Sequence, residues 1–124
     1  MNINILSGKK GEDIATSFLL KNGYQIIERN YKKRYGEIDI IAVDTSNKKE
    51  PVLVFIEVKT RTSNIFGTPL EAITPSKLRS VIKTVDYYVL THKNLPLLLR
   101  IDAISVDLSD GEQNVEHIKN ISGS

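Results

Sequence analysis

Two apolar segments with a polar segment between them occupy the middle of the chain. Residues 38–43 and 52–58 are rich in Ile and Val, and residues 44–51 are mostly polar. Runs of β-branched residues bounded by turn formers are typical of strands. The pattern therefore predicts a β-hairpin. Its second strand is apolar at consecutive positions, which is typical of a central strand covered on both faces.

Helical periodicity marks two further segments. Apolar residues at helical spacing predict a first helix over residues 8–21, with Ser7 as its N-cap. Thr74 followed by Pro75 predicts the start of a second helix that ends near residue 91, because Thr is a favoured N-cap and Pro a favoured first helical residue.

The remaining strands complete an α/β pattern. We expect a first strand over residues 24–31, a basic turn at 32–34, a fourth strand over 97–108 and a short edge strand within 115–121. The order is αβββαβ with a terminal strand. We therefore expect one α/β domain, residues 1–124, with a central mixed sheet flanked by helices.

Charged residues end both strands of the hairpin on the side away from its turn. If the hairpin is symmetric about Lys48, Asp39 faces Glu57 and Glu37 faces Lys59. Opposed like charges on neighbouring strands are unfavourable. A hard cation such as Mg²⁺ removes that repulsion, since it takes carboxylate oxygens and keeps several waters. Asp39 and Glu57 are therefore candidate metal ligands, with the carbonyl of residue 56 or 58 as a further donor.

Lys59 shares a strand face with Glu57, because the two residues are two positions apart. At a metal site Lys59 would orient or help to deprotonate an attacking water, or stabilise a pentacovalent phosphorus. The alternative is a surface ion pair between Glu57 and Lys59. Against it, these charges end the most apolar strand of the chain, where a charge needs a purpose. Glu37 is expected to pair with Lys59 or to face solvent.

Composition excludes several classes of protein. The chain has no cysteine, which excludes disulfides and thiolate metal sites, and its formal net charge is only +2. We see no run long enough to span a membrane and no signal peptide, so we expect a cytoplasmic protein without a membrane partner.

Local charge is more informative than net charge. Basic residues that are candidates for phosphate contacts are Lys32, Lys33, Arg34, Arg61 and Lys77, although a solvated face is the alternative. His92 and His117 have no partners at metal-ligand spacing and are expected at the surface. We expect Arg100 and Asp102 to form a structural pair on the fourth strand.

An ordered set of motifs resembles the YraN-like bacterial protein family over about residues 8–106. The motifs are Gly8-x-x-Gly11-Glu12-x-x-Ala15, Gly36-Glu37-Ile38-Asp39, Phe55-Ile56-Glu57-Val58-Lys59-x-Arg61, Phe66-Gly67-x-Pro69, Lys77 and Arg100-Ile101-Asp102. Ile38 stands directly before Asp39, whereas in the nuclease superfamily to which this resemblance leads a proline often precedes the first aspartate.

This resemblance implies a place among the PD-(D/E)XK nucleases, which have a restriction-endonuclease-like core and include Holliday junction resolvases. It implies that Asp39, Glu57 and Lys59 match the acidic and lysine positions of the superfamily. It also implies that Glu12 matches the first-helix glutamate of resolvase-like members. The expected function is a Mg²⁺- or Mn²⁺-dependent DNA endonuclease, with branched or junction DNA as a candidate substrate. A junction resolvase is expected to act as a symmetric homodimer.

Two other functions remain open from the sequence. A non-catalytic nucleic-acid-binding or DNA-processing accessory module would keep the fold and bind DNA with salt sensitivity but without metal dependence. A protein-interaction subunit would bind no DNA, and its basic clusters would only be solvated. Neither alternative needs Asp39, Glu57 and Lys59 together.

Overall fold

A computed structural model describes residues 3–62, 73–109 and 111–123, with the side chains of residues 3–7 left aside. Within these ranges the chain forms an α/β fold with a restriction-endonuclease-like core, as the sequence predicts. Its elements in order are α1 (Ile3–Lys21), β1 (Tyr24–Lys33), β2 (Gly36–Asp44), β3 (Val52–Arg61), α2 (Pro75–Thr91), β4 (Leu98–Asp107) and β5 (Asn114–Ile118).

The five strands form one mixed sheet in the order β1-β2-β3-β4-β5. β3 pairs with β4 in parallel, and the other neighbouring strands are antiparallel. The single parallel pair follows from the position of α2, because parallel strands need a crossover connection and α2 lies between β3 and β4 in sequence. The predicted mixed sheet is therefore confirmed.

Both faces of the sheet are covered, each by one helix. On one face α1 contributes Ala15 and Leu19 to a core with Val54 and Ile56 of β3. On the other face α2 contributes its buried apolar residues to a core that includes Phe55 of β3. Alternate residues of β3 thus enter opposite cores, which explains the consecutive apolar positions of this strand.

Two boundaries predicted from the sequence are wrong. α1 begins at Ile3, so Ser7 lies inside the helix and does not cap it. Lys32 and Lys33 belong to β1, which pairs with β2 as far as Lys33 and Gly36, so the turn contains only residues 34 and 35. By contrast, the N-cap of α2 is confirmed: Lys77 N donates a hydrogen bond to Thr74 Oγ1 at 3.1 Å.

Two glycines permit close packing of the helices on the sheet. A Cβ placed on Gly11 of α1 would overlap the Thr60 side chain of β3. A Cβ on Gly36 would lie 3.1 Å from Thr84 Oγ1 of α2, and the φ of +155° at Gly36 also favours glycine. These contacts bring both helices close to the ends of β2 and β3 at which Asp39 and Glu57 lie.

Within the described residues, neither helix is long and apolar enough to cross a membrane.

Candidate active site

The β2–β3 ladder ends just before the two candidate metal ligands. Its pairs run from Asp44 and Val52 to Ile40 and Ile56, which is the register of a hairpin symmetric about Lys48. Beyond the last pair, Val58 N donates a hydrogen bond of 2.7 Å to Asp39 Oδ2. The Asp39 side chain thus satisfies a backbone donor of β3 and is held against that strand.

Asp39 and Glu57 are both buried, with exposed fractions of 8% and 5%. Burial, reinforced by the charge of Glu57, raises the pKa of Asp39 from its ordinary 3.8 to about 8. Burial also raises the pKa of Glu57, although Lys77, Lys59 and a hydrogen bond from Asp39 oppose the shift. The fold therefore holds two carboxyl groups where ionising both is costly.

Two lysines face the Glu57 carboxylate. Glu57 Oε1 lies 3.8 Å from Lys59 Nζ and 3.6 Å from Lys77 Nζ. Lys59 comes from the same strand, whereas Lys77 comes from the first turn of α2. The side chains of both lysines are about one-third exposed. They can therefore offset the negative charge and still reach a bound anion.

Glu12 approaches Asp39 and Glu57 from α1, which covers the face of the sheet opposite to α2. Its side chain is 17% exposed, and its Oε1 lies 3.6 Å from Arg29 Nη2 of β1. Partial burial raises the pKa of Glu12, against the opposing effect of Arg29. Glu12 therefore lies at the edge of the buried face of α1.

A cavity of about 440 Å³ joins these groups. The residues that line it are Gly8, Glu12, Glu37, Asp39, Glu57, Val58, Thr60 and Thr62. Four of them carry carboxyl groups, contributed by α1, β2 and β3, so the lining of the cavity is strongly acidic. Glu37 pairs with Lys32 at 3.7 Å, and the expected partner Lys59 instead faces Glu57.

The donor set suits a hard cation with few protein ligands. Glu57 Oε2 is buried and has no hydrogen-bond partner among the described residues. In the same part of the chain, no three His, Cys, Asp or Glu side chains are close enough to hold a metal by themselves. A cation here would thus use Asp39, Glu57 and other oxygens, as Mg²⁺ does when it keeps several waters.

The basic candidates fall into three places. Lys77 lies in the acidic site, whereas the sequence predicts only phosphate contacts for it. Lys32, Lys33 and Arg34 lie at the exposed end of the β1–β2 hairpin. Arg61 ends β3, where its carbonyl accepts a hydrogen bond of 2.8 Å from Leu108 N. Because β1 ends, β2 begins and β3 ends at the same end of the sheet, the cations of these strands and their turn lie at the end of the sheet that also holds Asp39.

A second polar cluster lies between β4, β2 and β5. Arg100 Nε donates to both Asp102 oxygens at 2.9 and 3.0 Å, which confirms the expected pair. Arg100 also donates to Tyr24 Oη at 2.8 Å and to Asp44 Oδ2 at 3.3 Å. The partners of this network are mutually satisfied and largely buried, which is typical of a structural network.

The surface position expected for the two histidines is wrong. The His117 side chain is 9% exposed, and its Nε2 lies 2.8 Å from Asp102 Oδ2. His92 is half-buried and stacks on Tyr88 with ring centroids 3.8 Å apart. Sequence spacing alone could not have found the His117 contact, because the residues are brought together only by the β4–β5 pairing.

Comparison with known proteins finds strong matches over most of the chain. Residues 11–106 match the model described as "Uncharacterised protein family UPF0102". A UPF0102 protein of Chloroherpeton thalassium is 40% identical over 114 residues, which cover 92% of this chain and 84% of the relative. A Flavobacterium psychrophilum relative is 42% identical over 112 residues, covering 90% and 89%. One from Clostridium perfringens is 44% identical over 100 residues, covering 81% and 78%.

Proposed function

The chain belongs to the uncharacterised protein family UPF0102, and from the geometry of its acidic cavity we propose that it is a divalent-metal-dependent DNA endonuclease. The observation that carries the proposal is the buried pair of Asp39 and Glu57, faced by Lys59 and Lys77. Buried carboxyl groups from β2 and β3, faced by lysines from β3 and α2, can bind a cation and an anionic phosphate side by side, which supports phosphodiester hydrolysis as the reaction. Perturbed carboxyls in a cleft are typical of functional sites.

Asp39 and Glu57 would hold a Mg²⁺ or Mn²⁺ ion. When bound, such an ion lowers the pKa of water and offsets negative charge on the phosphate. The hydrogen bond from Val58 N fixes one oxygen of Asp39 and thereby orients the carboxylate. Glu57 Oε2 is buried without a hydrogen-bond partner among the described residues, so it is an oxygen that could ligate the ion.

The two lysines have different parts in this proposal. Lys59 would orient the attacking water and help to deprotonate it, because its ammonium group extends from the same strand face as Glu57 and would stabilise the hydroxide that forms. Lys77 reaches the site from the start of α2 and offsets charge on the phosphate that is attacked. Glu12 lies across the cavity and supports a ligand or a water.

The other basic residues would position the DNA backbone. Lys32, Lys33 and Arg34 are exposed at the end of β1 and in the turn before β2, the strand that holds Asp39. With Arg61 they can contact phosphates, which fixes the register of the DNA without reading its sequence. Contacts that do not read sequence suit an enzyme that recognises the structure of its substrate, such as branched or junction DNA. A homodimer would supply a second site for the second strand.

The test is cleavage of end-labelled branched, flap, single-stranded and duplex DNA with Mg²⁺, with Mn²⁺ and with EDTA. We expect cleavage only with metal, and a loss of at least about 100-fold for Asp39→Asn and for Lys59→Met. Lys49→Met is the matched control, because Lys49 is an exposed lysine at the far end of the same hairpin. Cleavage that persists in EDTA, or at the wild-type rate in Asp39→Asn, would overturn the proposal.

A further inference from the structure

A tyrosine at the β1–β2 turn and a tyrosine of α2 have exposed rings that lie close to each other. Tyr35 is 46% exposed and Tyr87 of α2 is 38% exposed. Their ring centroids are 6.3 Å apart. Among the side chains that the structure describes, these are the exposed aromatic ones. Exposing two adjacent aromatic rings to water is unfavourable, and adjacent exposed apolar groups of this kind often mark a binding site.

One cation contacts this aromatic pair, and others lie near it in sequence. Arg34 Cζ lies 5.8 Å from the centre of the Tyr35 ring. Lys32 and Lys33 precede Arg34 at the end of β1. Lys83 lies four residues before Tyr87 on α2, so the two share a helix face. Interleaved basic and aromatic side chains are typical of surfaces that bind nucleic acid by phosphate contacts and base stacking.

The turn is held rigidly beside the acidic cavity. Gly36 packs so closely on Thr84 and Ser80 of α2 that no Cβ fits without displacement. An extended strand advances about 3.3 Å per residue, which puts the Cα atoms of Tyr35 and Asp39 about 13 Å apart. A base that stacks on Tyr35 would thus lie next to, but outside, the place where a phosphate meets Asp39 and Glu57.

We propose that Tyr35, supported by Tyr87, is a stacking platform for an unpaired base of branched DNA, and that it selects branched over fully paired substrates. The inference rests on the proposed nuclease function and names its substrate class. A base inside a duplex already has neighbours on both faces, whereas an unpaired base offers a free face to an aromatic ring. The flanking cations hold the phosphates of the same strand.

The test measures binding without cleavage, in EDTA, to a Y-shaped DNA and to a duplex of the same sequence. The unpaired arm carries 2-aminopurine, whose fluorescence falls when it stacks. We expect Tyr35→Ala to weaken binding to the Y-shaped DNA about 10-fold or more, to change duplex binding by less than about twofold and to abolish the quenching. Tyr35→Phe keeps the ring and is expected to behave as the wild type does.

Two controls keep the result interpretable. Leu97→Ala removes a fully exposed apolar side chain elsewhere, and it is expected to leave both affinities unchanged. Tyr35→Leu keeps apolar bulk without an aromatic face, so it is expected to resemble Tyr35→Ala and provides the test if the alanine variant folds poorly. An equal loss for duplex and Y-shaped DNA, or quenching that survives in both variants, overturns the proposal.

The cleavage assay with metal separates this inference from the proposed nuclease function. Metal-dependent cleavage of branched DNA that is unaffected by Tyr35→Ala would overturn the stacking platform and leave the nuclease proposal standing. Absence of wild-type binding to the Y-shaped DNA would overturn the stacking platform, and only absence of metal-dependent cleavage as well would overturn both.

Discussion

At the scale of single residues, Asp39 carries an electrostatic cost that the fold imposes on it. Its carboxyl is buried beside Glu57, and its pKa rises from 3.8 to about 8. The folded chain then binds a proton at Asp39 more tightly than the unfolded chain does. The free energy of unfolding must therefore fall as the pH rises between these two values. Sites that hold reactive groups often reduce stability in this way.

The substitution Asp39→Asn is expected to remove this cost. An asparagine keeps an oxygen for the hydrogen bond from Val58 N and offers its amide to Glu57. We expect the variant to be more stable than the wild type by about 1–2 kcal/mol at pH 8 and to show a flatter dependence between pH 5 and 8. Urea unfolding at a series of pH values in EDTA measures both. A variant less stable than the wild type at pH 8 would show that burial of the Asp39 carboxylate does not destabilise the folded chain.

In the absence of metal, the negative charge of Glu57 is compensated by Lys59 and Lys77, which leads to a further prediction. Lys77 compensates this carboxylate from α2, so Lys77→Met leaves Glu57 with a single lysine partner. We expect the variant to bind Mn²⁺ about threefold to tenfold more tightly in titration calorimetry, because a cation no longer competes with that ammonium group. Lys83→Met, an exposed lysine further along the same helix, is the control and should leave the affinity unchanged. Weaker binding by Lys77→Met would contradict this assignment.

Some of these residue contacts were predictable and others were not. The position of Asp39 next to Glu57 follows from the symmetric hairpin, whose register depends only on local sequence. The contact of Lys77 with Glu57 depends on how α2 lies across the sheet, which no spacing in the sequence encodes. The His117 contact with Asp102 similarly needs the pairing of two strands that are distant in sequence from the hairpin.

At the scale of elements, the placement of α1 decides whether Glu12 reaches the cavity. The helix approaches β3 at Gly11, where the Thr60 side chain occupies the space that a Cβ would need. Gly8, one turn earlier, has no atom within 4 Å of the corresponding Cβ position. The two glycines therefore form a matched pair, one required by packing and one not.

Alanine substitutions at these glycines should have opposite effects. Gly8→Ala is expected to stabilise the protein by about 0.5–1 kcal/mol through better helix propensity. Gly11→Ala is expected to destabilise it by about 1–3 kcal/mol, because overpacking exceeds that gain. Thermal unfolding measures both. Thr60→Ala in the Gly11→Ala background should recover part of the loss, and equal effects of the two glycine substitutions would show that α1 does not pack as described.

The sequence predicted the order of the elements and the apolar faces, since both follow from periodicity. It missed the start of α1, because Ser7 is a good N-cap but the helix continues through it from Ile3. It also shortened β1, because the charged residues Lys32 and Lys33 look like a turn although their backbone pairs with β2. Charge indicates exposure here rather than the end of a strand. The Phe66-Gly67-x-Pro69 motif lies outside the described residues.

At the scale of the whole molecule, the sheet carries polar groups with opposite effects on stability. Burial raises the pKa of Asp102, but hydrogen bonds from His117, Arg100 and the backbone of Asn120 outweigh it, and the net pKa is lowered. Asp102 thus contributes stability above its ordinary pKa of 3.8, and this contribution is lost as the pH falls through the lower folded value. The contribution of Asp39 to stability is instead lost as the pH rises from 3.8 to about 8.

The Asp102 network should therefore govern acid unfolding and should not govern cleavage. Asp102→Asn is expected to lower the free energy of unfolding at pH 7 by at least about 2 kcal/mol, because Arg100 loses its buried partner. Circular dichroism during acid titration should show a shallower loss of stability below pH 4 than in the wild type. Below its unfolding temperature the variant should retain metal-dependent cleavage within about threefold of the wild type. A specific loss of cleavage without loss of stability would place Asp102 in the catalytic site.

The family match over residues 11–106 confirms the resemblance that the motifs indicate over about residues 8–106. The residues that carry these motifs include Gly11, Glu12, Asp39, Glu57 and Lys59, and the fold gathers them at one end of β2 and β3. Gly11 has a packing reason, since it admits α1. Asp39 and Glu57 have no comparable packing reason, because two buried acids destabilise the site that they form.

The most direct test of the cation site is anomalous diffraction from a crystal soaked in Mn²⁺. We expect a peak between Asp39 and Glu57, with at least one oxygen of each carboxylate about 2.1–2.2 Å from the ion. The peak should disappear in Asp39→Asn, while the hydrogen bond from Val58 N to residue 39 remains. A well-ordered wild-type crystal without a peak there, with Lys59 and Lys77 still facing Glu57, would contradict the central claim.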